Sequence, residues 1–307
     1  MSAAVHTHSS GDPVLDRRLD WARACLDHHD WSAAADLLTD TLAEAPDFAA
    51  AWFLLGEARE AGGDAAGAAD AFTRARDCDP DDAFGAGLRL ARLGQAPVEG
   101  AMSAAYVQTL FDQYADRFEG ALRDNLNYRG PELLHAAVAR VAGPDCHFHR
   151  ALDLGCGTGL TAPLFAPLVD ALHGVDLAPA MLERAERLGL YAGLEVGEMG
   201  AVLAAAPPAS FDLIIAADAL CYVDEIAPLF REAARVLTPG GLFAFTSETH
   251  EGEGVLLRDT LRFAHPAAMV RAVAATAGLE LRLLDHASIR TEEAVPVPGL
   301  VGVAARP

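Results

Sequence analysis

No run of about 18 or more apolar residues free of charge occurs in the 307-residue sequence, so no membrane-spanning helix is expected. The opening stretch MSAAVHTHSSGDP lacks both a basic flank and an apolar core, and does not read as a secretory signal. Residues 1–13 are expected as a disordered tail, with His6 and His8 as tail residues rather than ligands. Positive charge is scarce: 23 Lys and Arg against 44 Asp and Glu leave a formal charge of −21. Nucleic-acid binding relies on cationic side chains neutralising phosphates, and no concentrated basic patch is present, which excludes DNA and RNA as partners. The same charge disfavours anionic membrane surfaces and suits a soluble, cytoplasmic protein. Aromatic residues make up only 7%, and the 52% hydrophobic content is carried mostly by Ala, Leu and Val. The five cysteines (Cys25, Cys78, Cys146, Cys156, Cys221) are widely spaced, odd in number and without a CxxC pair. That excludes a disulfide framework and a zinc ribbon. The stretch DCHFHR does bring Cys146, His147 and His149 together. In one extended run Cys146 and His147 would point to opposite faces, so a polar loop is the better reading, and no metal is expected.

What is present begins with helices. Residues 14–97 read as a helical domain carrying a repeat. The stretch WFLLGEAREAGGDAAGAADAFTRARDCDP places Trp52, Leu55, Gly56, Ala68, Phe72, Ala75 and Pro80 at the tetratricopeptide spacing, with Arg59 where an aromatic residue is usual. One repeat earlier, Pro46, Ala34 and Leu38 answer Pro80, Ala68 and Phe72, and Trp21 takes the place of Leu55. Two repeats are expected, the first degenerate, closed by a capping helix in DDAFGAGLRLARLG. Such a short array is marginal alone. It reads either as a groove for a protein partner or substrate, or as a helical cover or dimerisation module.

Residues 98–149 follow as a linker and a helical cover. GQAPVEGAMS is the linker, and Val107, Leu110, Phe111, Tyr114, Ala115, Phe118 and Leu122 share one helical stripe. From Arg150 onward strand and helix patterns alternate. Strands are expected in ALDLG, ALHGVD, LEVG, FDLIIAAD, GLFAFTSE, LELRLLDHASIR and LVGVAARP. The alternation predicts an α/β fold, a mostly parallel sheet with helices on both faces. The last two strands have no helix between them and read as a hairpin, which makes the final strand antiparallel.

The turn DLGCGTG, after the first of these strands, carries Gly155, Gly157 and Gly159. A dinucleotide turn wants its third glycine at position 160, which is Leu160 here. Asp153 would also repel a pyrophosphate. Beside a ligand with a sulfonium and an ammonium and no phosphate, such as S-adenosylmethionine, the acid is favourable. Asp176 ends the next strand, where a carboxylate accepts from both ribose hydroxyls, and Leu177 beside it can pack on adenine.

With these motifs in order, residues 150–247 resemble a class I S-adenosylmethionine-dependent methyltransferase. LDLGCGTG resembles its glycine motif, GVDLAPAML its ribose motif, FDLIIAADALCYV its fourth strand and RVLTPGGLFAFTS its fifth. The whole chain resembles a bacterial group of predicted methyltransferases fused to tetratricopeptide repeats, a match that YVQTLFDQYADRF and LRFAHP support. The resemblance implies a Rossmann-like seven-strand sheet over residues 150–307, with the last strand antiparallel. It implies that Asp153, Gly155, Cys156 and Gly157 surround the methionine part of the cofactor, and that Asp176 and Leu177 hold ribose and adenine. Glu198 is placed near the adenine amine, and Asp218 and Leu220 near the sulfonium and the substrate entrance. Tyr114, on the cover helix, is placed to close over the cofactor.

Methyl transfer is an in-line displacement in which positioning supplies much of the rate. An oxygen or carbon nucleophile can also need a base. His250, His265 and Tyr222 are the candidate catalytic residues, with Glu248 a further one. DALCYV stands where an NPPY signature would indicate methylation of DNA bases or protein glutamine. The expectation is a methyltransferase for a small-molecule acceptor. The alternatives are a protein methyltransferase whose repeats grip the target, and a non-catalytic repeat scaffold that retains a cofactor site.

Overall fold

The computed structural model describes residues 9–120, 127–292 and 295–307, with the backbone alone for 114–120. His6 and His8 lie outside the described residues. The chain divides into two compact units, Met1–Thr109 and Leu110–Pro307.

The first unit contains helices α1 (Pro13–Asp27), α2 (Trp31–Glu44), α3 (Ala49–Ala61), α4 (Ala65–Cys78) and α5 (Ala86–Arg92). The repeat is visible in the caps. The Asp30 carboxylate accepts from Ala33 N at 3.1 Å and opens α2. One repeat later, Asp64 accepts from Gly67 N at 2.9 Å and opens α4. Each satisfies a backbone donor that helix geometry leaves unpaired. Ala34 and Ala68, and likewise Leu38 and Phe72, are fully buried at equivalent positions. Gly56 is required by its neighbour, since a Cβ there would collide with the Phe72 ring. Trp21 departs from the expected equivalence with Leu55: Leu55 is 1% exposed and Trp21 58%. Helix α1 turns Leu15, Leu19 and Ala22 inward instead, an i, i+4, i+7 stripe that leaves position 21 on the outer face. The division between the units falls inside α6 (Ala104–Gly120), later than the linker at 94–103.

The second unit is built on a sheet. After α7 (Gly130–Ala142) come β1 (Phe148–Leu154), α8 (Ala162–Phe165), β2 (Val169–Asp176), α9 (Pro179–Arg187), β3 (Gly193–Val196), α10 (Met199–Ala205), β4 (Phe211–Ala216), α11 (Ile226–Val236) and β5 (Leu237–Glu248). A short ribbon, β6 (Leu256–Leu257) with β7 (Phe263–Ala264), precedes α12 (Ala267–Thr276) and β8 (Glu280–His286). A small hairpin of β9 (Thr291–Glu292) and β10 (Val295–Pro296) leads into β11 (Gly299–Ala305). The main order is β3-β2-β1-β4-β5-β11-β8. Strands β1 to β5 pair in parallel, and β11 runs antiparallel between β5 and β8. This is the expected seven-strand arrangement with the last strand reversed. The ribbon β6–β7 and the hairpin β9–β10 are additions that the hydrophobic pattern did not suggest.

Period-two alternation buries both faces of the central strands. Leu152, Leu154, Ile214 and Ala216 face one core, while Ala151, Leu213 and Ile215 face the other. In the first core Phe230 of α11 packs on Phe243 and Phe245 of β5 with ring centroids 5.1 and 5.0 Å away. Each such buried ring contributes about 1.5–3 kcal/mol. The strand order reverses between β1 and β4. Open α/β sheets bind ligands at the carboxyl ends of the strands flanking such a point.

Candidate active site

The loop after β1 is shaped by its glycines. Gly155, Gly157 and Gly159 have φ of 66°, 55° and 86°, a region that costs side-chain-bearing residues energy. A Cβ at Gly155 would lie 2.9 Å from Ala219 Cβ and 3.7 Å from Met199 Sδ. The cradle between the ends of β1 and β4 is thus only as wide as a bare backbone. The buried Cys156 anchors the loop by donating its N–H to Val175 O at 2.9 Å.

Asp153 lies beneath this loop and is fully buried. Its Oδ2 accepts from the Tyr191 hydroxyl at 2.7 Å and from the Thr161 hydroxyl. Its Oδ1 is buried without a hydrogen-bond partner. Burial raises its pKa to about 6, against the lowering effect of Thr161 and Tyr191. The same burial pushes the Cys156 thiol and the Tyr191 phenol upward, so both keep their protons. A buried carboxylate with one unpartnered oxygen is a site waiting for a donor or a cation.

Asp176, at the end of β2, accepts from Gly157 N and from Ala178 N, each at 2.9 Å. One carboxylate therefore ties the glycine loop to the start of α9. Burial raises its pKa, and these two N–H groups oppose the rise. The side chain is only partly buried, as is the neighbouring Leu177, so both are open to a ligand. Phe111 of α6 packs on Ala178 and Met181 and meets Tyr222 edge-on, with centroids 5.2 Å apart. It spans from the loop after β2 to the turn after β4. Tyr114 is the expected cover, and among the described side chains of α6 it is Phe111 that packs here. The side chain of Tyr114 lies outside them.

Two of the expected cofactor contacts are arranged differently. Both Glu198 oxygens cap α10, accepting from Gly200 N at 2.9 Å and Ala201 N at 2.7 Å. The adjacent Met199 faces the glycine loop instead. Leu220 is fully buried in the core with Ile226 and Phe230, not at an entrance. Asp218 is at the tip after β4 with φ of 53°. Its N–H donates to Thr246 Oγ1 at 2.8 Å.

The carboxyl ends of β4 and β5 hold a cluster that spacing did not signal. Arg290, 1% exposed, donates to Asp218 Oδ1 at 2.6 Å, to Glu292 Oε1 at 3.1 Å and to Glu248 Oε1. Glu248 is also 2.8 Å from Arg258 Nε. Tyr128 lies within electrostatic reach of Asp153, Asp218 and Arg290, and burial holds its phenol protonated.

The expected bases are not placed to act as such. His265 is fully buried, its Nδ1 3.0 Å from Ser247 Oγ and its Nε2 3.4 Å from Asp224 O. Burial lowers its pKa and keeps it neutral. His250 closes its own turn, with Nδ1 accepting from Gly252 N and Nε2 on Gly254 O, each at 3.0 Å. Tyr222 does line the site, but burial raises its pKa. Away from the site, His147 and His149 share the Asp170 carboxylate at 2.8 and 2.9 Å. Among the described residues no group of three His, Cys, Asp or Glu could hold a metal ion.

Comparison with known proteins agrees with this geometry. The methyltransferase domain family profile matches residues 152–245, and the tetratricopeptide repeat profile matches residues 19–83. The chain joins a methyltransferase domain to tetratricopeptide repeats. It is 33% identical over 141 residues to human methyltransferase-like protein 27, covering 46% of this chain and 57% of that one. It is 34% identical over 119 residues to ubiquinone biosynthesis O-methyltransferase from Xanthomonas campestris pv. campestris, covering 38% and 48%. The chain thus spans about half the length of the curated relatives it matches. The methyltransferase domain shares its fold with 1,6-didemethyltoxoflavin-N1-methyltransferase from Burkholderia thailandensis. That match has a TM-score of 0.52 at 17% identity, over 66% of this chain and 88% of that one. The cyclase SpnF matches with a TM-score of 0.53 at 19% identity, over 66% and 96%.

Proposed function

We propose that this chain is an S-adenosylmethionine-dependent methyltransferase acting on a small-molecule acceptor. The observation that carries the reading is Asp176, held by Gly157 N and Ala178 N at 2.9 Å beside the glycine loop. There a carboxylate can accept from vicinal ribose hydroxyls while the glycine loop offers its backbone. The unpartnered Oδ1 of Asp153 fits a cofactor with cationic groups and no phosphate. When bound, S-adenosylmethionine supplies a methyl group on a sulfonium carbon. The chain's part is to hold the ribose with Asp176, pack adenine against Leu177 and cover the cleft with Phe111. Asp218, Tyr128 and Tyr222 face the acceptor.

A fold shared with a cyclase does not decide the chemistry, so the reading rests on the site. The repeats support a protein partner for the first unit. No helix among the described residues is long and apolar enough to cross a membrane. The test is to incubate the purified protein with methyl-labelled S-adenosylmethionine and an extract of its native cells, then separate small molecules from protein. Label in the small-molecule fraction agrees with the proposal. Label in protein alone means that the repeats deliver a protein acceptor, and no label in either contradicts methyl transfer.

A further inference from the structure

We infer that the acceptor is a carboxylate, methylated to its ester, and that Arg262 receives it. The inference rests on the methyl-transfer reading above.

The acceptor end contains three guanidinium groups, and they are not equally engaged. Arg290 directs Nη1 to Asp218, Nη2 to Glu248 and Glu292, and Nε to Glu292. Arg258 donates through Nη2 to Thr249 O at 2.6 Å and keeps Nε against Glu248. Among the described residues the Arg262 side chain makes no hydrogen bond. Its Nη1 is buried without a hydrogen bond and forms only long ion pairs, 3.6 Å from Glu292 Oε1 and 3.9 Å from Glu248 Oε1. Its guanidinium carbon is 5.5 Å from the centre of the Tyr222 ring, whose other neighbour is the cover residue Phe111. A buried guanidinium donor without a hydrogen bond is costly, and a planar carboxylate is the ligand that matches its fork.

A second line concerns protons. A hydroxyl or amine acceptor sheds a proton, and a base speeds that step. Glu248 is sealed among three arginines, and both His265 nitrogens are engaged inside the core. Tyr128, Tyr222 and Cys221 hold their own protons. A carboxylate needs no base. Its oxygen lone pair forms the C–O bond as the S–CH3 bond breaks, and the bonding pair stays on sulfur. The carboxylate and sulfonium charges vanish together and no proton is released. The charges of the site are consistent with this. Among the described residues the three guanidiniums pair with Asp218, Glu248 and Glu292, and an arriving anion meets the cofactor's own cation.

The test uses the full chain with tritiated-methyl S-adenosylmethionine and a protein-free small-molecule extract of the native cells. The labelled product is then treated with mild alkali. A methyl ester releases volatile tritiated methanol, whereas an ether, an N-methyl or a C-methyl group does not. The expected result is alkali-volatile label, lost about ten- to hundredfold in Arg262→Gln. Arg262→Gln should still bind S-adenosylhomocysteine like the wild type, which separates lost acceptor binding from misfolding. Alkali-stable label overturns the carboxylate and leaves methyl transfer standing. Volatile label with undiminished turnover in Arg262→Gln overturns the role of Arg262. No label transfer at all removes the underlying reading and this inference with it.

Discussion

Arg290 Nη1 stands 2.6 Å from Asp218 Oδ1, joining the residue just before β9 to the tip of β4 across 72 positions of sequence. The arginine is 1% exposed and also bonds Glu248, itself 1% exposed. Removing one member of a buried ion cluster leaves the others uncompensated and costs about 3–5 kcal/mol. Arg290→Met should therefore lower unfolding stability by about that amount in denaturant titration. A loss under about 1 kcal/mol would mean that the cluster is well hydrated.

Asp153 predicts a pH dependence of ligand binding. Its carboxyl titrates near pH 6 because burial penalises the anion. A cationic ligand favours the anion, so below pH 6 binding must expel a proton. Affinity for S-adenosylhomocysteine should fall by up to about tenfold per pH unit below 6 and level off above it. Asp153→Asn should bind more weakly at neutral pH and lose this slope. The raised value also works against the fold. An acid whose folded pKa exceeds its unfolded value loses stability as pH rises between the two, here from 3.8 to about 6. Asp153→Asn, which still accepts from Tyr191 and Thr161, should thus match or exceed wild-type stability at pH 7.

Much of the site was legible in the sequence because its chemistry is local. DLGCGTG follows a short apolar run and reads as a glycine turn, and Asp176 closes the next apolar run, which places both at strand ends. The repeat was legible through its 34-residue spacing, which recurs in the Asp30 and Asp64 caps. The Arg258–Arg262–Arg290 cluster was not, because its members come from irregular segments that only the fold brings together. Glu198 shows a role that the resemblance did not imply: its carboxylate caps α10 through Gly200 N and Ala201 N. Trp21 misled because a 34-residue step preserves register but not which face of a degenerate helix turns inward.

Phe111 should act as a cover. It meets Tyr222 at 5.2 Å and packs on Ala178 and Met181. Such an aromatic pair contributes about 0.5–1.5 kcal/mol beyond its buried area. Phe111→Ala should weaken S-adenosylhomocysteine binding by about tenfold or less and speed its release in stopped-flow displacement. Unchanged release would show that the helix does not close the cleft.

His265 should be structural. Its neutral ring links Ser247 to the Asp224 carbonyl inside the core. Burial depresses its pKa, so the stability it contributes is complete above about pH 6.5 and is lost as pH falls below that value. His265→Gln should cost about 1–3 kcal/mol of stability at pH 8. Methyl transfer per folded molecule should stay within about twofold. A loss of several orders of magnitude in turnover with unchanged stability would restore it as a catalytic base.

The central claim is that Asp176 and the glycine loop form an S-adenosylmethionine site. Calorimetric titration of the purified chain with S-adenosylhomocysteine tests it most directly, run beside Asp176→Ala. The expected result is one site of micromolar affinity, about −8 kcal/mol, that Asp176→Ala abolishes or weakens at least about tenfold without unfolding. A folded wild-type protein that gives no heat and no binding, or a variant that binds as well as the wild type, would contradict it.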